Sequence, residues 1–109
     1  MIDKNSAEHY NWGDGWHLVK SPTLSVIQER VPPGRQEMSH YHNKSEQFFF
    51  ILSGTATLIL DGVEIELQPQ QAQFVPSGAI HQLNNMYTED LIFTVTSSPP
   101  SHGDRVVIE

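Results

Sequence analysis

The sequence of 109 residues contains no cysteine. This absence excludes disulfide bonds, thiolate metal ligands, iron–sulfur clusters and cysteine nucleophiles. Basic residues are also few, since six Lys and Arg stand against 13 Asp and Glu and the net charge is -7. A nucleic-acid-binding surface needs concentrated positive charge, so we expect no nucleic-acid partner.

Long apolar runs are missing as well. No stretch approaches the roughly 20 apolar residues that span a membrane, and the polar N-terminus does not resemble a secretory signal. We therefore expect a cytoplasmic protein without a membrane partner. The length and the hydrophobic content of 38% predict one globular domain over residues 1–109. Its core should span about 17–97, between a polar N-terminal segment and a C-terminal tail.

A sustained period near 3.6 residues, which would indicate helices, is absent. Short alternating segments separated by Gly, Pro and Asn recur instead. The clearest pair is 55–60 and 63–67, joined by Asp61-Gly62, a dipeptide typical of a type I′ hairpin. Further strands are predicted at 17–20, 23–31, 37–42, 47–53, 72–75, 80–83 and 91–96, and residues 106–108 could return as an edge strand. This pattern predicts an all-β antiparallel sandwich or barrel.

Two histidines, His40 and His42, lie two residues apart. On an extended strand both imidazoles point to the same face. Imidazole suits divalent metals, and an oxygen donor from the next strand could complete a site. His81 follows a Pro-x-Gly turn in a second informative stretch and can supply a third imidazole.

The spacing of these residues resembles the two motifs of the cupin superfamily. The motifs read Gly34-x5-His40-x-His42-x4-Gln47-x6-Gly54 and Pro76-x-Gly78-x2-His81-x3-Asn85. The resemblance implies an antiparallel jelly-roll barrel that holds one divalent metal ion (Fe, Mn, Zn, Ni or Cu). It carries the ligand role to His40, His42 and His81, and it makes Asn85 a turn residue.

The fourth ligand has two candidates. Counting back from Gly54 places the position that is usually glutamate on Gln47, whereas counting forward from His42 leaves Glu46 open. We favour Gln47, with Glu46 as the alternative. A carboxamide oxygen brings no negative charge, so such a site should bind metal more weakly and make a bound water more acidic.

Strand parity predicts which side chains line the cavity around the metal. Met38, Phe49, Ile51 and Leu83 share the parity of the ligands on their strands. Glu37 has the opposite parity to His40 and should face away. No general base is identified, unless Glu46 is free of the metal.

The resemblance implies a metal-dependent enzyme that acts on a small molecule, of the oxygenase or isomerase type. The alternative is a non-catalytic cupin that binds or senses a sugar or other small ligand. Barrels of this family usually form homodimers, often by exchange of an N-terminal strand. The strand at 26–31 and the stretch 12–16, with a tryptophan at each end, are available for such an exchange.

Overall fold

The computed structural model describes residues 8–10, 14–101 and 103–108, the first of these ranges by its backbone alone. This part of the chain contains strands and turns but no helix. The strands are β1 (Glu8–Tyr10), β2 (Asp14–Lys20), β3 (Ser25–Val31), β4 (His40–His42), β5 (Glu46–Ser53), β6 (Ala56–Leu60), β7 (Val63–Leu67), β8 (Ala72–Val75), β9 (His81–Asn84), β10 (Leu91–Ser98) and β11 (Arg105–Val107). No helix among the described residues could cross a membrane.

The strands form two antiparallel sheets. One has six strands in the order β1-β2-β3-β10-β5-β8, and the other has five in the order β11-β4-β9-β6-β7. Strands distant in sequence, such as β3, β10 and β5, become neighbours because the chain crosses between the sheets. The predicted all-β antiparallel jelly roll is therefore confirmed.

The core lies between the sheets because the central strands alternate. β10 buries every second side chain from Leu91 to Ser97, and β5 does the same from Gln47 to Ile51. Val95 of β10 is the register partner of Ile27 on one side and of Phe49 on the other. Burial of these apolar side chains, at about 1.5–3 kcal/mol each, drives the packing of the two sheets.

The hairpin prediction is also confirmed. β6 and β7 pair with Leu60 opposite Val63, and Asp61 and Gly62 both have positive φ values of 47° and 82°. Two successive positive φ angles define the type I′ turn, whose twist matches that of the strands.

The expectation for strand exchange changes at one of its two candidate segments. The strand at 25–31 pairs with β2 on one side and β10 on the other, so it offers no free edge for exchange. Within 12–16, Trp12 and Gly13 lie outside the described residues, whereas Asp14 begins β2. The tail returns as expected, because β11 forms an edge of the five-stranded sheet beside β4.

Candidate metal centre

Three histidines meet because β4 and β9 are neighbours. His40 is the register partner of His81, and His42 follows two residues later on the same face of β4. All three side chains are buried, and one nitrogen from each lies within 4.8 Å of the others. The ring centroids are 4.4 to 5.7 Å apart.

Each imidazole is held by a hydrogen bond at Nδ1. The partner is the Met38 carbonyl for His40 (2.9 Å), the Ala79 carbonyl for His81 (3.0 Å) and the Asp104 carboxylate for His42 (2.9 Å). These oxygens only accept hydrogen bonds, so each Nδ1 carries the hydrogen. In the neutral ring, Nε2 then keeps its lone pair for a ligand.

Burial keeps the rings of His40 and His81 neutral. It lowers the pKa of His40 to about 4, and it also lowers the pKa of His81. Neutral imidazole is the form that binds metal, so at neutral pH protons do not compete for these two Nε2 atoms.

Gln47 enters the same group of atoms from β5. Its side chain is buried, and its amide nitrogen donates to Ser97 Oγ at 3.0 Å. This contact turns Oε1 toward His81, where it lies 3.1 Å from Nε2. Since that nitrogen has no hydrogen when Nδ1 is the donor, two electron-pair donors face the same space. Glu46, by contrast, lies on the exposed face of β5.

The donor set fits a divalent transition metal. Three imidazole nitrogens and one amide oxygen are ligands for Fe, Mn, Zn, Ni or Cu rather than for calcium. Among the described residues, no hydrogen-bond donor points at Nε2 of His40 or His42. Lone pairs that converge in this way are stabilised when a cation lies between them.

Two of the three histidines, His40 and His42, line a cavity of about 290 Å³ between the sheets. Phe49 and Leu83 line this cavity, in agreement with strand parity. Ile51 has the right parity but is fully buried in the core and does not reach the cavity. Met38 is 57% exposed and lies outside the lining, because the chain is not yet in a strand at residue 38 and parity does not extend there.

The cavity is also lined by two glutamates, Glu29 and Glu37, which the sequence pattern did not predict there. Glu29 lies on β3 between the inward-facing Ile27 and Val31. Its strand parity, which it shares with these two residues, is the sequence signal that could have placed it in the cavity. Its carboxyl group has no hydrogen-bond partner among the described residues. Burial raises the pKa of Glu29 to about 8; the charge of Glu37 raises it further, and Arg105 opposes both.

The expectation that Glu37 faces away from the site is wrong. Glu37 lines the cavity, and its Oε1 accepts a hydrogen bond from the Leu83 amide at 2.8 Å. Its own amide donates to Asn84 Oδ1 at 3.1 Å. Strand parity fails here because β4 begins only at His40. Burial raises the pKa of Glu37 to about 7.

The C-terminal segment completes the wall. Arg105 lines the cavity, and its Nη2 lies 3.5 Å from His40 Nδ1. The preceding residue, Asp104, contacts His42. No local pattern in the sequence could reveal this contact, because it depends on the pairing of β11 with β4.

Asn85, the last residue of the second motif, has a structural role. Its side-chain nitrogen donates to the carbonyls of Val31 (3.0 Å) and Glu89 (2.7 Å), and its oxygen accepts from the Tyr87 amide (3.1 Å). Its polar atoms are therefore occupied by the backbone of the following turn and of the end of β3 rather than turned toward the histidines.

Comparison with known proteins places this arrangement in a family. The Cupin domain profile matches residues 27–97. An uncharacterised protein of Methanocaldococcus jannaschii is 28% identical over 94 residues, which cover 85% of this chain and 75% of the relative. An RmlC-like cupin from Shewanella frigidimarina superposes with a TM-score of 0.83 at 20% identity, over 93% of this chain and 91% of that one.

Quercetin 2,3-dioxygenase of Bacillus subtilis is 33% identical over 97 residues, which cover 82% of this chain. These residues are 29% of the dioxygenase, so the chain spans less than a third of that relative's length. The match of the Cupin domain profile covers well over half of the chain. The protein therefore belongs to the cupin family.

Proposed function

We propose that this cupin is a metal-dependent enzyme that acts on a small oxygen-containing molecule, with chemistry of the oxygenase or isomerase type. One observation carries the proposal: three histidines whose ligand atoms lie within 4.8 Å of one another, together with Gln47 beside His81, adjoin a cavity that Glu29 also lines. Among the described residues, the carboxyl group of Glu29 has no hydrogen-bond partner. A divalent ion bound by His40, His42, His81 and Gln47 would act as a Lewis acid toward an oxygen of the substrate.

The other cavity residues have roles that follow from their environment. At pH 7 the raised pKa of Glu29 keeps its carboxyl group protonated, so Glu29 can donate a proton and take one back as a carboxylate. Phe49 and Phe93 provide apolar walls for the carbon skeleton of the substrate. Arg105 contributes a positive charge that favours an anionic substituent.

The size of the cavity and the similarity to a known dioxygenase narrow the class of substrate. A volume of about 290 Å³ is at the lower end for small-molecule pockets and suits a single ring or a monosaccharide. The 33% identity to quercetin 2,3-dioxygenase supports oxygenase chemistry on a phenolic compound. The protonated carboxyl group of Glu29 supports isomerisation next to a carbonyl. Oxygenation and isomerisation are therefore both tested.

The test uses metal-loaded protein with phenols, diketones and sugar phosphates, assayed for oxygen uptake and for carbonyl isomerisation. We expect turnover of one class, a loss of about 100-fold or more in Glu29→Gln with metal content unchanged, and no activity in His42→Ala. The exposed Glu64→Gln is the matched control. Binding without turnover across the panel would contradict an enzyme and support the alternative, a sensing or binding cupin.

We also propose that the protein forms a homodimer through the outer face of the six-stranded sheet. Phe48 and Phe74 are register partners on β5 and β8, and their side chains are 44% and 47% exposed. Adjacent exposed aromatic side chains are a common feature of protein–protein contacts. Light scattering should give the mass of a dimer for the wild type and of a monomer for Phe48→Ser/Phe74→Ser; a monomeric wild type would contradict the proposal.

A further inference from the structure

Asp104 links the C-terminal segment to the histidine cluster. Its Oδ1 accepts the hydrogen bond from His42 Nδ1 at 2.9 Å. Its Oδ2 accepts from the backbone amides of Lys44 (3.1 Å) and Ser45 (2.9 Å). Both carboxylate oxygens are thus occupied, and the orientation of the carboxylate is fixed. Asp104 lies beyond residues 27–97, the range that matches the Cupin domain.

The segment around Asp104 also frames the cluster through its backbone. In the pairing of β11 with β4, Arg105 is opposite His42 and Val107 is opposite His40. The Ile108 amide donates to the Ser39 carbonyl at 2.8 Å, just before β4 begins. The position of Asp104 relative to His42 is therefore set by a strand ladder and not by a single flexible contact.

We propose that Asp104 is a positioning residue for the metal centre, which orients His42 and makes its Nε2 a stronger ligand. A carboxylate that accepts from Nδ1 fixes the tautomer and the ring orientation and raises the basicity of the ligating nitrogen. Of the three histidines, His42 has a carboxylate at this position, whereas the partners of His40 and His81 are backbone carbonyls. The inference rests on the proposed metal site.

The test measures the affinity of the purified protein for Zn²⁺ and Ni²⁺ by competition with a chromophoric chelator. In Asp104→Asn, the side-chain oxygen can still accept from Ser45, but the negative charge beside His42 is lost. We expect metal affinity to fall about 10- to 100-fold, with partial recovery in Asp104→Glu. Asp90→Asn, an exposed residue whose partner is Arg30, is the control and should bind like the wild type.

A double-mutant cycle separates positioning from a purely structural role. If Asp104 acts through His42, Asp104→Asn should have little further effect on metal affinity once His42→Ala is present. If Asp104 only stabilises the 43–45 turn, the thermal midpoint of the metal-free protein falls and the metal affinity does not, which overturns the inference. Should the Asn variant not fold, Asp104→Ser is measured in the same way.

The outcomes also distinguish this inference from the proposed function. A wild type that binds neither metal would overturn the metal site and the role of Asp104 together. A wild type that binds metal, with Asp104→Asn within twofold of it, would overturn the role of Asp104 alone.

Discussion

Gln47 Oε1 lies 3.1 Å from His81 Nε2, although 34 residues separate the two along the chain. The contact joins the two sheets, because Gln47 is on β5 of the six-stranded sheet and His81 is on β9 of the five-stranded sheet. Neither atom carries a hydrogen when His81 donates through Nδ1 to Ala79. Two acceptors at this distance repel each other unless a cation lies beside them.

This contact predicts opposite outcomes for two adjacent residues. Gln47→Ala should weaken metal affinity at least about tenfold, because it removes a ligand and leaves three imidazoles. Glu46→Ala should leave the affinity unchanged, because Glu46 is on the exposed face of β5. Both are measured by the same chelator competition. A loss in Glu46→Ala with none in Gln47→Ala would make the carboxylate the ligand.

Glu29 should make stability depend on pH. Its pKa is about 8 in the folded protein, against an ordinary value of 4.5 in the unfolded chain. Between these values the native state holds a proton that the unfolded state has lost, so stability falls as the pH rises from about 4.5 and levels off above about 8. The slope approaches about 1.4 kcal/mol per pH unit.

Glu29→Gln removes the contribution of Glu29 to this dependence, because an amide does not titrate, and leaves that of Glu37. The free energy of unfolding is measured with urea on chelator-treated protein at pH 5 and at pH 8. Between these pH values, the variant's free energy of unfolding minus that of the wild type should rise by an amount on the order of a few kcal/mol. Glu64→Gln, at an exposed position, should not show this gain. A constant difference between Glu29→Gln and wild type over this range would contradict a raised pKa.

Substitution by alanine should destabilise the protein far more at Gly54 than at Gly62, although both glycines have φ near +80°. A Cβ at Gly54 would overlap the backbone oxygen of Asp90, whereas a Cβ at Gly62 meets nothing within 4 Å. Gly62→Ala therefore adds backbone strain of about 1–3 kcal/mol, and Gly54→Ala adds a steric clash to the same strain. Thermal unfolding should rank wild type, Gly62→Ala and Gly54→Ala in falling order, and equal losses would refute the clash.

The sequence predicted what depends on local pattern. Alternation identified the buried face of β5, the Asp61-Gly62 dipeptide identified the hairpin, and motif spacing identified three histidines that the fold brings together. Parity failed at Met38 and Glu37 because β4 is only three residues long. Alternation is informative only where the backbone is continuously extended.

Other parts of the site depend on contacts between distant residues. Asp104 reaches His42 across 62 positions through a strand ladder, and no spacing rule connects them. Glu29 could have been found, since a charged residue that shares the strand parity of the buried Ile27 and Val31 is unusual. The raised pKa of Glu29 could not have been predicted from the sequence, because it depends on desolvation between the two sheets and on the position of Glu37.

The most direct test of the account is the metal content of untagged protein, measured by elemental analysis for the wild type, His42→Ala and Gln82→Ala. Gln82 is next to His81 on β9 but has the opposite parity, so it controls for changes in that sheet. We predict one divalent metal ion per chain in the wild type and in Gln82→Ala, and a clear loss in His42→Ala. A wild type that stays metal-free after incubation with each candidate ion, with an unchanged thermal midpoint, would contradict the metal centre.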